Sequence, residues 1–342
     1  MAEQELDASG ATIDRGQLRD ALTQGLGRAD VVGHRVVHGG ESFREPVLVD
    51  DGAEAALRGL VDLAPLHQPK SIEALDAVSE ALPGVPAVAC FDTAFHATLA
   101  PSAATYALPA AWRERWRLRR YGFHGLSHAW IARRAPALLG RSAHGLRIVS
   151  CHLGAGASLC AIAEGRSVDT TMGFTPLEGL VMATRSGSVD PGLLLWLLEH
   201  TGVPERELAR ALEHESGLLG LAGTADMREV LARAAGGDGA AELALDVYTH
   251  RLRAAVGAMA AALRGLDAVV FTGGVGERSA PIRTMTIAGL EFLGLEIDQR
   301  LNVSSTGDRE ITRPGAGART LVVHAREDLE IARQARAVLA SR

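Results

Sequence analysis

Short β-type runs alternate with helical stretches along the 342-residue chain, and this alternation constrains the fold more than any other feature. The pattern predicts an α/β architecture, and the length suits two domains. Strands are predicted at 31–37, 87–91, 147–151, 158–163, 268–272 and 320–324. Helices are predicted at 15–25, 52–60, 71–82, 127–139, 191–200, 205–212, 241–263 and 327–339. Residues 1–10 are polar and lead straight into a helix, without the opening strand usual in an α/β domain.

Composition excludes several classes of partner. The net charge of −6 and the aromatic content of 4% argue against binding to nucleic acid or to an anionic membrane. No secretion signal is visible, and the apolar run 193–198 is too short to span a membrane. The three cysteines, Cys90, Cys151 and Cys160, lie in strand-like apolar runs and are expected to be small buried residues in a reducing compartment. These features predict a cytoplasmic protein.

Two glycine turns follow predicted strands. Residues 154–157 (GAGA) join two β-rich runs as a hairpin, where successive N–H groups can bind a phosphate, although a plain hairpin turn is the more common interpretation. Residues 273–276 (GGVG) follow the strand 268–272 and suit either close approach of a ligand or a tight strand-to-helix connection. Neither turn carries a Walker or Rossmann signature.

Arg35 is a charged residue within an apolar run, where it needs an anionic partner. That partner is either a structural acid, for instance Glu41, or a carboxylate or phosphate ligand held by the guanidinium. In a strand, Arg35 and Val37 point to one face and His34 and His38 to the other. The two histidines have no third ligand nearby in the sequence, so a metal site there is discounted.

Five more polar residues lie at positions where catalytic or binding side chains are often found. Asp92 ends a predicted strand and suits a catalytic acid, a Mg²⁺ ligand or a turn cap. His124 is flanked by glycines ahead of a helix, and Arg185 lies in the turn-rich segment 173–191. Without a functional role, His124 would be a hydrogen-bonded surface histidine and Arg185 a solvated charge in a loop. Glu327 and Asp328 open the last helix, where the helix dipole alone favours acids.

Taken together, ten segments in this order resemble the acetate kinase family of carboxylate phosphotransferases, which belongs to the actin-like ATPase superfamily with sugar kinases and heat-shock chaperones. The segments are VGHRVVHGGE, LAPLHQP, FDTAFH, RRYGFHGLSH, CHLGAGAS, DTTMGFTPLEGL, TRSGSVDPG, SGLLGLAG, FTGGVGE and EDLEIAR, from Val32 to Arg333. The resemblance implies a two-domain actin-like α/β fold. Its first domain would comprise residues 1–93 and 326–342, and its second residues 94–325.

The resemblance also implies an activity, the reversible transfer of a phosphoryl group from ATP to acetate or propionate with Mg²⁺ or Mn²⁺. It implies that Arg35 and Arg185 bind acetate or the transferring phosphoryl group, and that His124 donates a hydrogen bond to that group. Asp92 would position substrate or a Mg²⁺-bound water, and Glu327 would lie near the metal. The residues that match the family's apolar pocket for the short-chain carboxylate are Val37, Leu66, Phe123 and Pro176.

Three further segments match the family's binding site for ATP or ADP, and the family also implies a homodimer. The matching residues are His152, Leu153, Gly154, Ala155, Gly156, Asp226, Met227, Arg228, Gly274, Val275, Gly276, Glu277 and Arg278.

The chain departs from the family pattern at four places. Ala155 and Arg278 each replace an Asn in the nucleotide segments, and Gln68 replaces the Asn after His67. Nothing in 1–30 matches the family's phosphate-binding hairpin. Either the start codon is assigned too late, or the first domain is truncated at its N-terminal end. Two alternatives to an active acetate or propionate kinase remain. One is an inactive relative that only binds nucleotide or a partner, and the other is a butyrate-type kinase, which would need a larger pocket.

Overall fold

The computed structural model describes residues 16, 20, 29–61, 68–304 and 306–341. By its internal contacts the chain separates into two compact units, one spanning 1–97 with 326–342 and the other spanning 98–325. We call them unit 1 and unit 2. Of the helix predicted at 15–25, only Gly16 and Asp20 are described, both as helical, and the polar start at 1–10 lies outside the described residues.

Strands and helices of the described residues are numbered in chain order. The strands are β1 (Val32–Val36), β2 (Val47–Leu48), β3 (Ala87–Phe91), β4 (Arg147–Leu153), β5 (Ala157–Ala163), β6 (Arg166–Thr170), β7 (Ala268–Thr272), β8 (Arg309–Glu310) and β9 (Arg319–Val322). The helices are α1 (Asp51–Arg58), α2 (Gln68–Ala81), α3 (Pro101–Ala104), α4 (Ala110–Trp116), α5 (Gly125–Leu139), α6 (Pro191–His200), α7 (Glu205–His214), α8 (Gly217–Ala222), α9 (Met227–Ala235), α10 (Gly239–Ala262), α11 (Gly273–Arg278), α12 (Ala280–Ile287), α13 (Gln299–Val303) and α14 (Glu327–Ala340). Two 3₁₀ turns lie at Ala94–Thr98 and Glu291–Leu293.

Unit 1 contains a three-stranded sheet in the order β1-β3-β2. β1 and β3 are parallel, so their carboxyl ends meet at one edge, and β2 is antiparallel to β3. Helices α2 and α14 pack on β1, and α14 also packs on β3. The apolar core beside this sheet includes stacked rings of Phe43 and Phe91, 5.0 Å apart. A Cβ on Gly33 would lie 2.3 Å from Ile331, so glycine is what permits α14 to pack closely on β1.

Unit 2 is built on a six-stranded mixed sheet in the order β6-β5-β4-β7-β9-β8. The central strands β4, β7 and β9 are parallel, whereas β4, β5 and β6 form an antiparallel meander. The long helix α10 packs on β4, β5 and β6, and α5 and α11 pack on β4. Every residue of β7 is buried, as expected for a strand covered on both faces. The GAGA and GGVG turns therefore follow adjacent parallel strands, β4 and β7, at the same edge of the sheet.

The α/β prediction is confirmed, and each predicted strand is present within one or two residues of its expected bounds. The sequence prediction missed three edge strands and six short helices. They are β2, β6 and β8, and α3, α4, α8, α9, α12 and α13. The helix predicted from Ser127 begins at Gly125, and the strand predicted from Arg147 extends to Leu153. Short edge strands bury little apolar surface, so their hydrophobic alternation is weak.

The three cysteines are buried in β3, β4 and β5, as predicted. Burial raises the pKa of the Cys90 thiol to about 12, so this group stays protonated and unreactive at neutral pH. No helix among the described residues is long and apolar enough to cross a membrane.

Candidate active site

Arg35 is the centre of a charged cluster at the carboxyl edge of the unit 1 sheet. Its Nη2 lies 2.7 Å from Asp92 Oδ2, and its Nη1 lies 3.1 Å from Glu327 Oε2. Because β1 and β3 run parallel, Arg35 and Asp92 lie at the ends of adjacent strands, while Glu327 is the first residue of α14. The acids that pair with Arg35 are therefore Asp92 and Glu327 rather than Glu41, and Asp92 accepts from the guanidinium.

The electrostatics of this cluster favour a permanent cation held between two acids. The charge of Asp92, and more weakly that of Glu327, raises the pKa of Arg35 against the opposing effect of burial. Burial raises the pKa of Glu327, an effect that Arg35 opposes and the neighbouring charge of Asp92 reinforces. The Arg35 side chain remains 43% exposed, whereas that of Asp92 is 2% exposed. The guanidinium can thus meet an anion from solution while its buried partner fixes its direction.

The residues beside Arg35 follow the predicted alternation. His34 and Val36 are buried and Arg35 is exposed, and His38 is buried as well. Burial lowers the pKa of His34 and of His38 to about 4, so both rings are neutral at physiological pH. Val37 is half-buried. Leu66 lies outside the described residues.

The donor set around Arg35 fits a Mg²⁺ ion bound partly by substrate. Among the described residues no group of three or more His, Cys, Asp or Glu side chains could hold a metal. Asp92 and Glu327 are nevertheless hard oxygen donors, and the charge of Asp92 acts on Glu327. Magnesium is commonly bound by one or two carboxylates, with waters and phosphate oxygens completing its shell. Two carboxylates are therefore sufficient for this kind of site.

In unit 2, the turn between β4 and β5 brings a histidine and an arginine together. The turn is closed by a hydrogen bond of 2.9 Å from Gly154 N to Gly156 O. A Cβ on Gly156 would lie 3.3 Å from His124 Nε2 and 3.6 Å from Arg185 Nη1. Only glycine leaves this space open, so two cationic or hydrogen-bonding side chains converge on one point above the turn.

His124 is held by its backbone and by its ring. It adopts a left-handed conformation with φ of 56° immediately before α5, and its Nδ1 lies 2.9 Å from the buried Ser158 Oγ. Its ring is 4.4 Å from the ring of His152, whose Nδ1 lies 2.8 Å from Ser127 Oγ. A left-handed histidine is uncommon and indicates a constrained position rather than a loosely solvated loop residue.

Arg185 is half-buried in the irregular segment between β6 and α6. Hydrogen bonds of 3.1 Å from Met182 N to Arg185 O, and of 3.0 Å from Ala183 N to Ala155 O, tie this segment to itself and to the β4–β5 turn. Gly217, with φ of 62°, packs so closely that a Cβ would lie 2.2 Å from Met182 O. Burial lowers the pKa of Arg185, and the charge of Glu213 opposes this effect. A partly desolvated guanidinium of this kind gains strongly from an anionic ligand.

Two apolar residues predicted to contact the carboxylate also lie in unit 2. Phe123 is buried beside His124, with 1% of its surface exposed, and Pro176 is half-buried. Phe123 therefore has little surface left for a ligand in this structure, although its position next to His124 agrees with a role in shaping the site.

A cleft of about 560 Å³ opens beside the two glycine turns of unit 2. Its volume is within the range of small-molecule sites. Eight residues predicted to bind nucleotide line it: Gly154, Ala155, Asp226, Met227, Arg228, Gly274, Val275 and Arg278. Ala155 and Arg278, two of the departures from the family pattern, are therefore cleft residues.

The other five predicted nucleotide residues are not among those that line the cleft, although they belong to the same sequence segments. They are His152, Leu153, Gly156, Gly276 and Glu277. Glu277 accepts hydrogen bonds of 2.9 Å from Gly273 N and from Ala325 N, and so fixes the GGVG turn. Buried Arg283 donates to the carbonyls of Gly276 and Glu277 at 2.9 and 2.8 Å. These contacts hold α11, which begins directly after β7, as the strand-to-helix interpretation predicts.

Sequence reasoning missed much of the cleft's apolar lining. The additional lining residues are Ala183, Leu218, Ala225, Leu231, Tyr248, Ser279 and Pro281. Leu218 and Leu231 come from α8 and α9, two of the helices that the sequence did not predict. Tyr248 follows the apolar face of α10 and, from sequence alone, cannot be distinguished from a core residue.

A mixed sheet with glycine turns at one edge, a neighbouring cleft and a histidine–arginine pair at the turn defines an α/β protein that handles anionic ligands, as phosphotransferases do. The sequence model of the acetokinase family matches residues 10–333. An acetate kinase of Cyanothece sp. (strain PCC 7425 / ATCC 29141) is 50% identical over 303 residues, covering 88% of this chain and 74% of that protein. The chain belongs to the acetokinase family.

Solved structures agree with this membership. The crystal structure of Porphyromonas gingivalis acetate kinase superimposes with a TM-score of 0.91 at 37% identity, covering 98% of this chain and 86% of that one. A propionate kinase from Francisella tularensis subsp. tularensis SCHU S4 gives a TM-score of 0.89 at 38% identity, covering 94% and 83%. The fold implied by the sequence resemblance is therefore confirmed.

Proposed function

We propose that the chain transfers the γ-phosphoryl group of ATP to acetate, forming acetyl phosphate and ADP in a reversible reaction. A carboxylate oxygen forms the new bond to the γ-phosphorus, the bond to the β,γ-bridging oxygen breaks, and that electron pair remains on ADP. The carboxylate is already an anion at neutral pH, so no proton has to be removed. Catalysis of this transfer needs positioning and charge neutralisation more than it needs a base.

The observation that carries this proposal is the convergence of His124 Nε2 and Arg185 Nη1 on the turn at Gly156. A hydrogen-bond donor and a cation aimed at one point are what a phosphoryl group requires as charge spreads over its equatorial oxygens. The cleft lined by Gly154, Asp226 and Gly274 supports binding of ATP or ADP next to that turn. Its apolar residues Leu218, Leu231 and Tyr248 suit a nucleoside.

Arg35, Asp92 and Glu327 take the remaining roles in this proposal. Arg35 binds the carboxylate or the phosphoryl group, and Asp92 holds its guanidinium in place through the pair at 2.7 Å. Glu327 and Asp92 would hold Mg²⁺, or Mn²⁺ in its place. When bound with the nucleotide, the metal neutralises negative charge on the β- and γ-phosphates.

Propionate is the second candidate substrate, because the propionate kinase structure is as similar to this chain as the acetate kinase structure. One methylene is worth only about 1–3 kcal/mol in an apolar pocket. We assign acetate first because the curated relatives are acetate kinases. The apolar pocket that limits the size of the acid is proposed to consist of Val37, Leu66, Phe123 and Pro176.

The test is direct. The purified chain is incubated with Mg-ATP and acetate, propionate or butyrate, and acyl phosphate is trapped with hydroxylamine. We expect kcat/KM to be highest for acetate. Absence of acyl hydroxamate with every acid would reject the proposal and favour a relative that only binds nucleotide, and a preference for propionate would replace acetate.

We also propose that the protein is a homodimer formed through α6. Helix α6 contains the apolar run Leu193–Leu198. Within a single chain it nevertheless buries none of its residues. Leu193, Leu195 and Trp196 are each about half exposed. An apolar helix that buries none of its residues within one chain is typical of an interface. We propose a cytoplasmic location, which the three buried thiols and the use of ATP support.

A further inference from the structure

A buried chain of alternating serine and histidine side chains runs from the interior of unit 2 to His124. Ser150 Oγ lies 2.9 Å from His128 Nδ1, and His128 Nε2 lies 2.9 Å from Ser158 Oγ. Ser158 Oγ in turn lies 2.9 Å from His124 Nδ1. Ser150, His128 and Ser158 have no exposed surface. Water is thus excluded from three members of the chain.

Regular structure fixes the geometry of this chain. Ser150 belongs to β4 and Ser158 to β5, which pair in a defined antiparallel register. His128 lies in the first turn of α5, and its backbone N–H donates at 3.0 Å to the carbonyl of His124, the residue immediately before the helix. The side chains therefore come from three packed elements and do not depend on a loop.

The direction of the hydrogen bonds follows from counting hydrogens. A serine hydroxyl has one hydrogen, and a neutral imidazole carries its single N–H on only one of its two nitrogens. Among the residues that the structure describes, His128 Nδ1 is the one hydrogen-bond partner of Ser150 Oγ. If His128 donated to Ser150, the hydroxyl hydrogen of Ser150 would be buried without an acceptor, which is unfavourable. Ser150 must therefore donate to His128 Nδ1.

The remaining hydrogens are then determined. Because His128 Nδ1 accepts, its Nε2 carries the hydrogen and donates to Ser158 Oγ. Ser158 then directs its own hydrogen to His124 Nδ1. His124 Nδ1 accepts, so the hydrogen of this ring is on Nε2, the atom that faces Gly156.

We propose that Ser150, His128 and Ser158 are positioning residues that hold His124 in the tautomer with hydrogen on Nε2. The inference rests on the proposed function, in which His124 donates to the transferring phosphoryl group. With the opposite tautomer, the lone pair of Nε2 would face the anion and repel it. The hydrogen bonds from Ser150 to His124 thus select the donor form of the catalytic histidine before substrate binds.

The first test measures the tautomer directly and requires no activity. Ring ¹⁵N spectra are recorded on the full chain labelled at histidine, and the His124 signals are assigned by their loss in His124→Gln. We expect Nε2 of His124 to be protonated and Nδ1 to be unprotonated in the unsubstituted protein. A His124 ring protonated on Nδ1 would overturn the proposal, whether or not the protein phosphorylates acetate.

The second test removes the hydroxyl of Ser150, the member of the hydrogen-bonded series that is farthest from His124. In Ser150→Ala, His128 loses its fixed donor without any change in a group that touches His124. We expect the Nε2-protonated population of His124 to fall and kcat to fall about tenfold, with KM for ATP and acetate changed less than about twofold. Ser150→Thr retains the hydroxyl and should restore both measurements.

Ser167→Ala serves as the matched control, because Ser167 is a buried strand serine of the same sheet whose Oγ accepts from Cys160 Sγ at 3.3 Å. It should leave the His124 signals and kcat unchanged. The proposal is rejected if Ser150→Ala leaves the His124 tautomer as in the unsubstituted protein, or if Ser167→Ala changes it equally. A tautomer shift in a protein that makes no acyl phosphate would instead reject the proposed function and leave the positioning chain standing.

Discussion

Arg35 and Asp92 are joined by two nitrogens of one guanidinium, with Nη2 at 2.7 Å and Nε at 3.2 Å from the same carboxylate oxygen, Oδ2. This arrangement fixes the plane of the guanidinium as well as its position. The Nη1 atom is directed to Glu327, which burial makes harder to ionise. Asp92 and Glu327 therefore have unequal environments, one accepting a bidentate pair and the other a single contact.

Removing the Arg35 guanidinium should abolish most of the acetate-phosphorylating activity. We expect Arg35→Ala to lower kcat/KM by about 10²–10³-fold, because the variant lacks a preorganised cation that stabilises negative charge in the transition state. Arg35→Lys should recover little, since an ammonium cannot reproduce the planar fork. Initial rates of hydroxamate formation provide the measurement. Arg58→Ala is the control, because Arg58 also pairs with two acids, Glu54 and Asp76, away from the cluster. Equal losses in both variants would contradict the assignment.

Asp92→Asn tests whether the carboxylate itself orients Arg35. The amide keeps the size of the side chain but removes its charge, and Arg35 loses its strongest partner. We expect kcat to fall at least about tenfold while thermal unfolding shows a folded protein. A variant with normal kcat and a raised KM for acetate would indicate that Asp92 contributes to ground-state binding only.

The sequence predicted the individual groups of the site better than their partners. Arg35 was identifiable because a charge within an apolar run needs an anion, but its acids lie 57 residues away, at Asp92, and at the distant Glu327. Their proximity depends on the parallel pairing of β1 with β3 and on the packing of α14. Neither the register nor the packing can be deduced from local propensity.

The serines show a different limit. Ser150 and Ser158 are single small polar residues within buried strands, and nothing in the local pattern separates them from ordinary core positions. Their role appears only when β4 and β5 are brought to α5. The GAGA turn was predicted as a hairpin, and the structure adds that a Cβ at Gly156 would meet both His124 and Arg185.

Gly156→Ala should disable the enzyme without unfolding it. The added methyl group would stand 3.3 Å from His124 Nε2 and occupy the point where the phosphoryl group is proposed to bind. We expect kcat/KM to fall by about 10²-fold, since displacement of reacting groups by about 1 Å has an effect of this size. Gly257→Ala is the matched control, because its Cβ would meet nothing within 4 Å inside α10. It should retain activity and gain up to about 1 kcal/mol in the free energy of unfolding.

Acid should destabilise the protein through its buried neutral histidines. The pKa of His34 is lowered by burial to about 4, whereas the unfolded chain has the ordinary value near 6.5. As pH falls below that value, the unfolded state binds a proton first, so stability decreases between about pH 6.5 and pH 4. By this linkage His34 alone accounts for roughly 2 kcal/mol between pH 7 and pH 5.

Urea denaturation at both pH values measures this effect. His34→Gln should lose less stability on acidification than the unsubstituted protein, by an amount of that order. His144→Gln is the control, because the side chain of His144 is 85% exposed. An unchanged pH dependence in His34→Gln would show that the acid sensitivity arises elsewhere.

Finally, a charge on α6 should separate the proposed dimer. Leu195 is 59% exposed in the single chain, in a helix that buries none of its own residues. Leu195→Glu should yield a monomer at micromolar concentration, because an unpaired carboxylate buried in an interface is strongly unfavourable. Sedimentation velocity gives the mass, and the unsubstituted chain should sediment as a dimer. Phe292→Glu replaces an apolar residue that is 76% exposed outside α6, and it should leave the dimer intact. If Leu195→Glu still sediments as a dimer, α6 is not the interface and the association must use another surface.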